Sequence, residues 1–265
     1  MSTSASPDLH AFIRDLARRT GELQLKRYQD PGRVREKGPK DLVTEVDLLC
    51  EELLISEISR HCPQDAILSE ERGGAISGSG RTWLLDPLDG TANYSRSNPL
   101  FCVCVSVVED GRVTHAAVAA PRLGDVYHAR LGGGAYRNDE PMRVSPTSRL
   151  EDAFLGADLS FFGKKGAKSL SYETPALQRL LGASWQIRAL GSAGIRGAWL
   201  AAGYIDVSIG TRNTIWDYAP TALLVSEAGG RVTDLSGRHW SLEAETMLAS
   251  NGRVHGELLK MLNPH

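Results

Sequence analysis

The sequence predicts a mixed α/β fold in which sheets are flanked by layers of helix. Segments with the apolar period of amphipathic helices alternate with short apolar runs that end in turn residues, as strands do. In addition, residues 100–145 contain several apolar runs separated by Gly- and Asp-containing turns, which is typical of an antiparallel meander. We find no linker, so we expect one unit over residues 1–265, with two sub-regions that meet near residue 150.

Two amphipathic helices are expected near the start of the chain. The first spans residues 8–28, where apolar side chains recur at helical spacing and Asp8 marks the start. The second has the same period and runs from about Thr44 to His61, where a Cys-Pro pair follows. Residues 33–41 lie between them and are basic and turn-rich, so we interpret them as a mobile loop.

Strands and helices alternate in the rest of the chain. A short buried strand is predicted over residues 82–85, after a connector rich in Gly and Ser, and the meander follows it. Beyond the meander we expect strands at residues 153–159, 185–190, 204–209 and 246–250, and helices at residues 172–181, 194–203, 217–228 and 254–262. Gly229 and Gly230 are placed to cap the third of these helices.

The composition of the chain excludes several classes of function. A hydrophobic content of 42%, a charged content of 23% and a net charge of -2 are ordinary for a soluble globular protein. No basic tract is interleaved with aromatic residues, so we expect no nucleic-acid binding. No apolar run approaches the length of a membrane span and no signal-peptide pattern is visible, so we expect no membrane partner and a cytoplasmic location.

The four cysteines are expected to be free thiols. No His/Cys spacing suggests a zinc site. Cys102 and Cys104 would project to the same face of one strand, which favours packing over a disulfide between them.

The stretch Asp86-Pro87-Leu88-Asp89-Gly90-Thr91 directly follows the predicted strand at residues 82–85. Two carboxylates on a rigid, partly buried turn repel each other, and a hard cation with oxygen ligands relieves that repulsion. Gly90 and Thr91 offer backbone N–H groups beside the carboxylates, as an anion cradle requires. Asp and Gly are also ordinary turn residues, so a plain turn is the alternative interpretation.

Two further acidic features change the balance between these interpretations. Glu70 and Glu71 end another apolar run, and Asp217 lies between apolar residues at the start of a predicted helix. Asp217 alone is better explained as a helix N-cap. Because all three features lie at strand ends or a helix start, together they predict one oxygen-rich site that holds divalent metal and faces a phosphate.

These segments resemble the inositol monophosphatase family from about Lys37 to Asn251. The family's first motif matches residues 86–91, and its second matches Trp216-Asp217-Tyr218-Ala219 followed by residues 227–230. Residues 41–47 and the Glu70-Glu71 pair also fall where the family has them. The resemblance implies an αβαβα layered fold with two mixed or antiparallel sheets, Mg2+-dependent hydrolysis of a phosphomonoester, inhibition by Li+ and a homodimer.

The resemblance also implies a role for individual residues. The metal ligands would be Glu70, Asp86, Asp89, Asp217 and the carbonyl of Leu88, around two or three Mg2+ ions for which Mn2+ is a substitute. Asp86 would bridge two metals, and Glu71 would hold a water molecule that binds a metal.

Thr91, paired with Asp47, would orient the attacking water, and the N–H groups of Gly90 and Thr91 would hold the phosphate. Asp47 and Thr44 are alternatively plain residues of a helix N-terminus. Lys37 lies in the loop that approaches the metals in the family, and a solvated lysine is the alternative.

The spacing of the aspartates also bears on the nucleophile. Phosphatases of the haloacid-dehalogenase type form an aspartyl phosphate and carry aspartates two residues apart, whereas Asp86 and Asp89 are three apart. We therefore expect direct attack by metal-activated water.

The substrate is predicted less directly. Residues Gly191, Ser192 and Ala193 resemble the family loop that contacts the substrate beyond its phosphate. Inositol-specific members carry a glutamate where this chain has Gly210, and Arg212, which is either solvated or a substrate ligand, lies close by. Inositol monophosphate is the leading expectation; fructose 1,6-bisphosphate, 3′-phosphoadenosine 5′-phosphate and histidinol phosphate are alternatives. A metal-binding interaction module without catalysis is the alternative of another class.

Overall fold

Five layers organise the chain in the order helix, sheet, helix, sheet, helix. The computed structural model describes residues 8–38, 41–157, 178–211 and 214–263. Within these ranges the helices are α1 (Leu9–Lys26), α2 (Glu45–His61), α3 (Thr91–Tyr94), α4 (residues 178–183), α5 (Ala193–Ala201), α6 (Ile215–Glu227) and α7 (His255–Leu262), with a 3-10 turn at Leu150–Asp152.

The strands form one hairpin and two sheets. The hairpin pairs β1 (Val34–Gly38) with β2 (Asp41–Thr44). In the part of the chain that is described, the larger sheet contains β3 (Ala66–Ser69), β4 (Gly73–Gly74), β5 (Arg81–Asp89), β6 (Cys102–Glu109), β7 (Arg112–Ala120), β8 (Asp125–Arg130), β9 (Gly134–Arg137) and β10 (Glu140–Pro141), in the order β10-β9-β8-β7-β6-β5-β3-β4. Only β3 and β5 run parallel in it; its other described pairs are antiparallel.

The smaller sheet is mixed. Among the described residues it contains β11 (Phe154–Ala157), β12 (Gln186–Arg188), β13 (Val207–Gly210), β14 (Arg231–Thr233) and β15 (Met247–Ser250), in the order β12-β11-β13-β15-β14. β11 is parallel to both of its neighbours, whereas β13, β15 and β14 pair antiparallel.

The larger sheet is buried on both faces, and this produces the layering. Trp83 and Leu85 of β5 pack against Ile13 of α1 and Leu54 of α2. Leu84, the residue between them, belongs to the core formed with α5 and α6. Since successive strand residues point to opposite faces, an apolar run such as that of β5 needs a helical layer on each side.

Helices α5 and α6 also cover one face of the smaller sheet, and α7 with α4 covers its other face. Leu258 of α7 and Leu180 of α4 share a core with Val207 of β13 and Leu248 of β15. The mixed α/β class and the αβαβα layering are therefore confirmed. The single-unit assignment over residues 1–265 stays a prediction.

Several expectations about single elements need correction, and one strand was not predicted. Residues 33–41, predicted as a mobile loop, contain β1 and the start of β2, because pairing along the hairpin satisfies the backbone of a polar segment. The helix expected at residues 217–228 begins two residues earlier, at Ile215. Strand β14 was not predicted, since three residues are too few for a visible alternation.

The strand expected at residues 82–85 is longer, because pairing with β6 continues past it: β5 runs over Arg81–Asp89 and includes the two aspartates that were expected on a turn. The strand expected at residues 204–209 begins later, as β13 at Val207. Several other elements agree in place. Helices α1, α2, α5 and α7 and the meander lie where they were predicted. Most of the helix expected at residues 172–181 lies outside the described residues. None of the described helices is long and apolar enough to cross a membrane.

Candidate metal centre and active site

Strand β5 brings Asp86 and Asp89 to one face of the larger sheet. Asp86 pairs with Cys104 of β6 and Asp89 pairs with Cys102, so three steps along β5 match two steps along β6. This irregularity is a bulge, and the extra residue turns both aspartates towards the face that carries the two cysteine side chains. Without it, residues three apart on a strand would point to opposite faces.

The parallel neighbour of β5 delivers Glu70 to the same edge. Ser69 of β3 is in register with Leu85, and the Glu70 N–H donates to the Leu85 carbonyl at 3.1 Å. Because parallel strands end at the same edge of a sheet, Glu70 follows β3 just where Asp86 continues β5.

Asp217 completes the group from the third residue of α6. Ligand oxygens of Asp86, Asp89 and Asp217 all lie within 4.8 Å of one another. One oxygen of Asp217 accepts hydrogen bonds from the Thr214 N–H at 2.8 Å and the Thr214 hydroxyl at 2.9 Å. Thr214 is therefore the N-cap, and Asp217 belongs to a capping box that fixes its carboxylate toward the strands.

The electrostatics of this carboxylate group favour a bound cation. Burial, followed by the charges of Glu70 and Asp89, raises the pKa of Asp86 well above its ordinary range. Burial and the charge of Asp89 raise the pKa of Asp217 to about 7. Burial is the larger cause of both shifts and the neighbouring carboxylates add to it. A cation with oxygen ligands would stabilise the charged carboxylates against both effects, so the donor set fits Mg2+.

Asp89 is held by a dense set of donors. The N–H of Ala193 donates to one carboxylate oxygen at 3.1 Å, and the N–H of Gly194 donates to the other at 2.8 Å. The hydroxyl of Ser192 and the thiol of Cys102 donate to that second oxygen as well. The loop predicted to contact substrate is thus joined to a predicted metal ligand; its role in substrate binding stays a prediction.

Gly90 forms the turn that follows the carboxylates. It has φ +89, and a Cβ there would lie 2.9 Å from the Leu100 carbonyl oxygen and 3.3 Å from that of Gly191. Only glycine combines this backbone conformation with such close neighbours. The N–H groups of Gly90 and Thr91 donate to no acceptor among the described residues, which leaves two donors beside the carboxylate group.

Thr91 connects this turn to α2. Its hydroxyl lies 3.0 Å from an oxygen of Asp47 and 2.9 Å from the Leu88 carbonyl, and its single proton can serve one of them at a time. The other oxygen of Asp47 accepts from the Thr44 N–H at 2.8 Å, in a second capping box. Asp47 is therefore both a helix N-terminal residue and the partner of Thr91. Burial raises its pKa to about 6, against the hydrogen bonds from Thr44.

Lys37 reaches the acidic pair from β1. Its ammonium nitrogen lies 2.9 Å from Glu70 and 2.6 Å from Glu71. Burial lowers the pKa of Lys37, but the hydrogen bonds to Glu71 and Glu70 raise it by more, so it lies above its ordinary value. Burial raises the pKa of Glu71, against the effect of Lys37. Lys37 is therefore ion-paired with Glu70 and Glu71, which differs from the alternative of a lysine that only contacts solvent.

The residues of this site fall within a match to a known protein family. The family model of the inositol monophosphatase family matches residues 8–265. The chain belongs to the inositol monophosphatase family.

Relatives in this family carry different names. A protein of Thermotoga maritima named fructose-1,6-bisphosphatase/inositol-1-monophosphatase is 34% identical over 255 residues, covering 95% of this chain and 94% of its own length. The Nus factor SuhB of Pseudomonas aeruginosa is 37% identical over 265 residues, covering 98% and 97%. The solved inositol monophosphatase (IMPase) structure of Thermotoga maritima superposes with a TM-score of 0.87 at 32% identity, covering 97% of each chain.

The structure leaves little room for a side chain at position 210, where the resemblance implies a glutamate in inositol-specific members. Gly210 is buried at the end of β13, and a Cβ there would lie 2.6 Å from Cε1 of Tyr218. A glutamate at this position would require the Tyr218 ring to move. Arg212, the other residue singled out for the substrate, lies outside the described residues.

Glu51 was not predicted from the sequence as a site residue, and it binds the backbone that carries Glu70 and Glu71. The side chain of Glu51 is buried, and one of its oxygens accepts from the N–H groups of Glu71 at 3.2 Å and Arg72 at 3.0 Å and from the Ser69 hydroxyl. The signal was available, because Glu51 follows Asp47 by four residues and therefore shares its helix face.

Proposed function

We propose that the chain is a Mg2+-dependent phosphomonoesterase that acts on a small phosphorylated metabolite, with inositol monophosphate as the leading substrate. One observation carries the proposal. The oxygens of Asp86, Asp89 and Asp217 lie within 4.8 Å of one another, next to the unused N–H groups of Gly90 and Thr91. A cation site beside an anion cradle suits a metal–phosphate ligand.

Five residues would supply the oxygen ligands. Glu70, Asp86, Asp89, Asp217 and the Leu88 carbonyl would hold two or three Mg2+ ions, or Mn2+ in their place. When bound, such ions activate water, neutralise the phosphoryl oxygens and stabilise the leaving alkoxide.

The remaining polar residues would position the reactants. Thr91, with its hydroxyl 3.0 Å from Asp47, would accept a proton from the attacking water as it passes its own proton to the carboxylate. Glu71 would hold a second water molecule. The N–H groups of Gly90 and Thr91 would bind the phosphoryl oxygens.

Water, and not Asp86, is the nucleophile in this proposal. Asp86 is 2% exposed and accepts a hydrogen bond from the Leu88 N–H at 3.0 Å, so its carboxylate is fixed within the carboxylate group. Mass spectrometry of protein quenched during turnover tests this point: we expect no phosphoryl adduct on the peptide that contains Asp86. An adduct there would refute direct attack by water.

The alcohol half of the substrate can be identified by assaying a panel of phosphate esters. The Thermotoga relative carries the names of two activities, which supports inositol monophosphate and fructose 1,6-bisphosphate as candidates. 3′-Phosphoadenosine 5′-phosphate and histidinol phosphate complete the panel. Phosphate release from each should be measured with Mg2+ and with EDTA, and we expect the highest kcat/KM for inositol monophosphate. A higher value for a bisphosphate would point to Arg212 as a ligand for the second phosphate.

A binding role is the second candidate function. The Pseudomonas relative is named a Nus factor, so the expectation of no nucleic-acid partner stays untested. Retention of every predicted carboxylate argues against a purely structural role, because buried acids without a cation destabilise a fold. Mg2+ binding without phosphate release from any member of the panel would favour the binding role. The homodimer and inhibition by Li+ remain proposals drawn from the family resemblance, and the cytoplasmic location remains a proposal drawn from the sequence.

A further inference from the structure

Two thiols lie behind the carboxylate group and share Asp89 with it. Cys102 and Cys104 are neighbours on the same face of β6, both are free, and both are fully buried. Their sulfurs are 3.8 Å apart, and the Cys102 sulfur lies 3.3 Å from an oxygen of Asp89. One ligand atom from each of these three residues lies within 4.8 Å of the other two.

The spacing of these atoms matches a soft, tetrahedral cation. Bonds of about 2.3 Å from a zinc ion to two sulfurs at the tetrahedral angle place the sulfurs about 3.8 Å apart. A sulfur and a carboxylate oxygen on the same ion would be about 3.6 Å apart. The observed separations are 3.8 Å and 3.3 Å, and the third lies within 4.8 Å, so the ligand atoms are close to the spacing that such an ion requires.

Glycine at position 194 lets the backbone of α5 pass close to the three ligand atoms. A Cβ on Gly194 would lie 2.4 Å from the Cys104 sulfur, 2.7 Å from the Cys102 sulfur and 3.1 Å from Asp89 Oδ2. Any other residue would displace these atoms. No spacing in the sequence predicts the cluster, because its third ligand comes from the neighbouring strand.

We propose that Cys102, Cys104 and Asp89 form a second cation site, selective for thiophilic divalent ions of the Zn2+ and Cd2+ class. Two metal–sulfur bonds would form, two thiol protons would pass to solvent, and the Asp89 carboxylate would complete a three-residue site. Thiolates select such ions over Mg2+, which prefers oxygen ligands. Since Asp89 serves both sites, an ion held by the thiols competes with Mg2+ for it.

Cd2+ titration of the metal-free protein tests the site by a direct optical readout. Cadmium–thiolate bonds give an ultraviolet charge-transfer absorption that carboxylate ligation lacks. We expect this absorption to saturate at one ion per chain in the wild type and in a Cys50→Ala/Cys62→Ala control, which removes the two cysteines outside the cluster. It should be lost in Cys102→Ala/Cys104→Ala.

Wild-type protein without the absorption, or a double variant that keeps it, would overturn the proposal. If the double variant does not fold, Cys104→Val preserves apolar packing, and it should bind Cd2+ at least about 10-fold more weakly than the wild type, because one of two thiolate ligands is gone. Unchanged affinity in Cys104→Val would equally overturn the site.

The consequence for catalysis rests on the proposed function and has its own readout. With Mg2+ constant, Zn2+ should inhibit phosphate release by the wild type, and the Zn2+ concentration needed should rise at least about 10-fold in Cys102→Ala/Cys104→Ala. Inhibition that persists unchanged in that variant would overturn the competition for Asp89. If the phosphatase proposal is wrong, neither the wild type nor the variant will release phosphate, while the wild type will still show the cadmium absorption.

Discussion

At the scale of single residues, the carboxylate group depends on a few hydrogen bonds that fix charged side chains against their mutual repulsion. Asp89 accepts from two backbone N–H groups, and Asp217 accepts from Thr214. These contacts orient the carboxylates before any cation binds. Charge-assisted bonds of this kind are stronger than neutral ones, and they hold the geometry that a metal site needs.

The hydroxyl of Thr91 gives the sharpest prediction at this scale. Thr91→Val removes the donor to Asp47 and keeps the side-chain shape, so we expect kcat to fall by about 100-fold or more. Thr91→Ser keeps the hydroxyl and should retain kcat within about 10-fold. Steady-state kinetics of phosphate release, with melting curves to check folding, provide the measurement. Wild-type kcat in Thr91→Val would remove Thr91 from the proposed mechanism.

At the scale of elements, the turn after β5 joins the metal ligands to the anion cradle. Gly90 lets the chain leave the sheet and begin α3 with its N–H groups uncovered, while the side-chain amide of Asn93 ties this turn to the carbonyls of Leu100 and Leu190 at 2.6 and 2.8 Å. Asn93 therefore connects the turn that follows Asp89 to the loop that begins at Leu190, which also contacts Asp89.

A pair of glycine substitutions separates backbone strain from close packing at this turn. Gly111, in the β6–β7 turn, has φ +72 and open space within 4 Å of where a Cβ would lie, whereas Gly90 has φ +89 and a carbonyl oxygen at 2.9 Å. Gly111→Ala should lower the free energy of unfolding by about 1 kcal/mol, since only strain acts. Gly90→Ala should cost at least about 1 kcal/mol more, because the backbone must also shift. Urea denaturation measures both, and equal losses would contradict the packing argument.

At the scale of the whole molecule, the five layers place the candidate site where the larger sheet meets the N-termini of α2 and α6. The layer formed by α7 and the smaller sheet has a different polar feature, His255, which is fully buried at the start of α7. Its ring nitrogens lie 3.0 Å from the Thr233 hydroxyl and 2.8 Å from the Ser250 hydroxyl, so it links α7 to β14 and β15.

The burial of His255 predicts a loss of stability in acid. Burial, followed by the charge of Arg231, lowers the pKa of His255 from 6.5 to about 4. The unfolded chain therefore binds this proton first, and stability falls as the pH decreases from about 6.5 towards 4. At pH 5 the loss from this group is about 2 kcal/mol relative to pH 7.

Urea denaturation at pH 7 and pH 5 measures that loss. His255→Gln should show a smaller decrease in the free energy of unfolding than the wild type, by about 2 kcal/mol. The control His239→Gln replaces an exposed histidine and should follow the wild type. An identical decrease in all three proteins would refute the prediction.

The sequence was sufficient for the parts of this architecture that depend on local pattern. Amphipathic periods located α1, α2 and α7, and the motif that follows the apolar run at the start of β5 revealed Asp86 and Asp89, although both lie within the strand. Features that depend on distant residues were not predictable. The bulge in β5 follows from its pairing with β6, and the pairing of basic β1 with β2 overrides a composition typical of loops. The contact between Cys102 and Asp89 likewise exists only across two strands.

The central claim, that these carboxylates hold catalytic Mg2+, is tested most directly by one titration. Phosphate release from inositol monophosphate should be measured as Mg2+ is added to EDTA-treated wild type, to Asp89→Asn and to the surface control Asp139→Asn, whose side chain is 88% exposed. We predict no release without Mg2+, recovery in the wild type and the control, and a loss of at least about 100-fold in Asp89→Asn. Full activity in Asp89→Asn, or equal activity in EDTA, would contradict the claim.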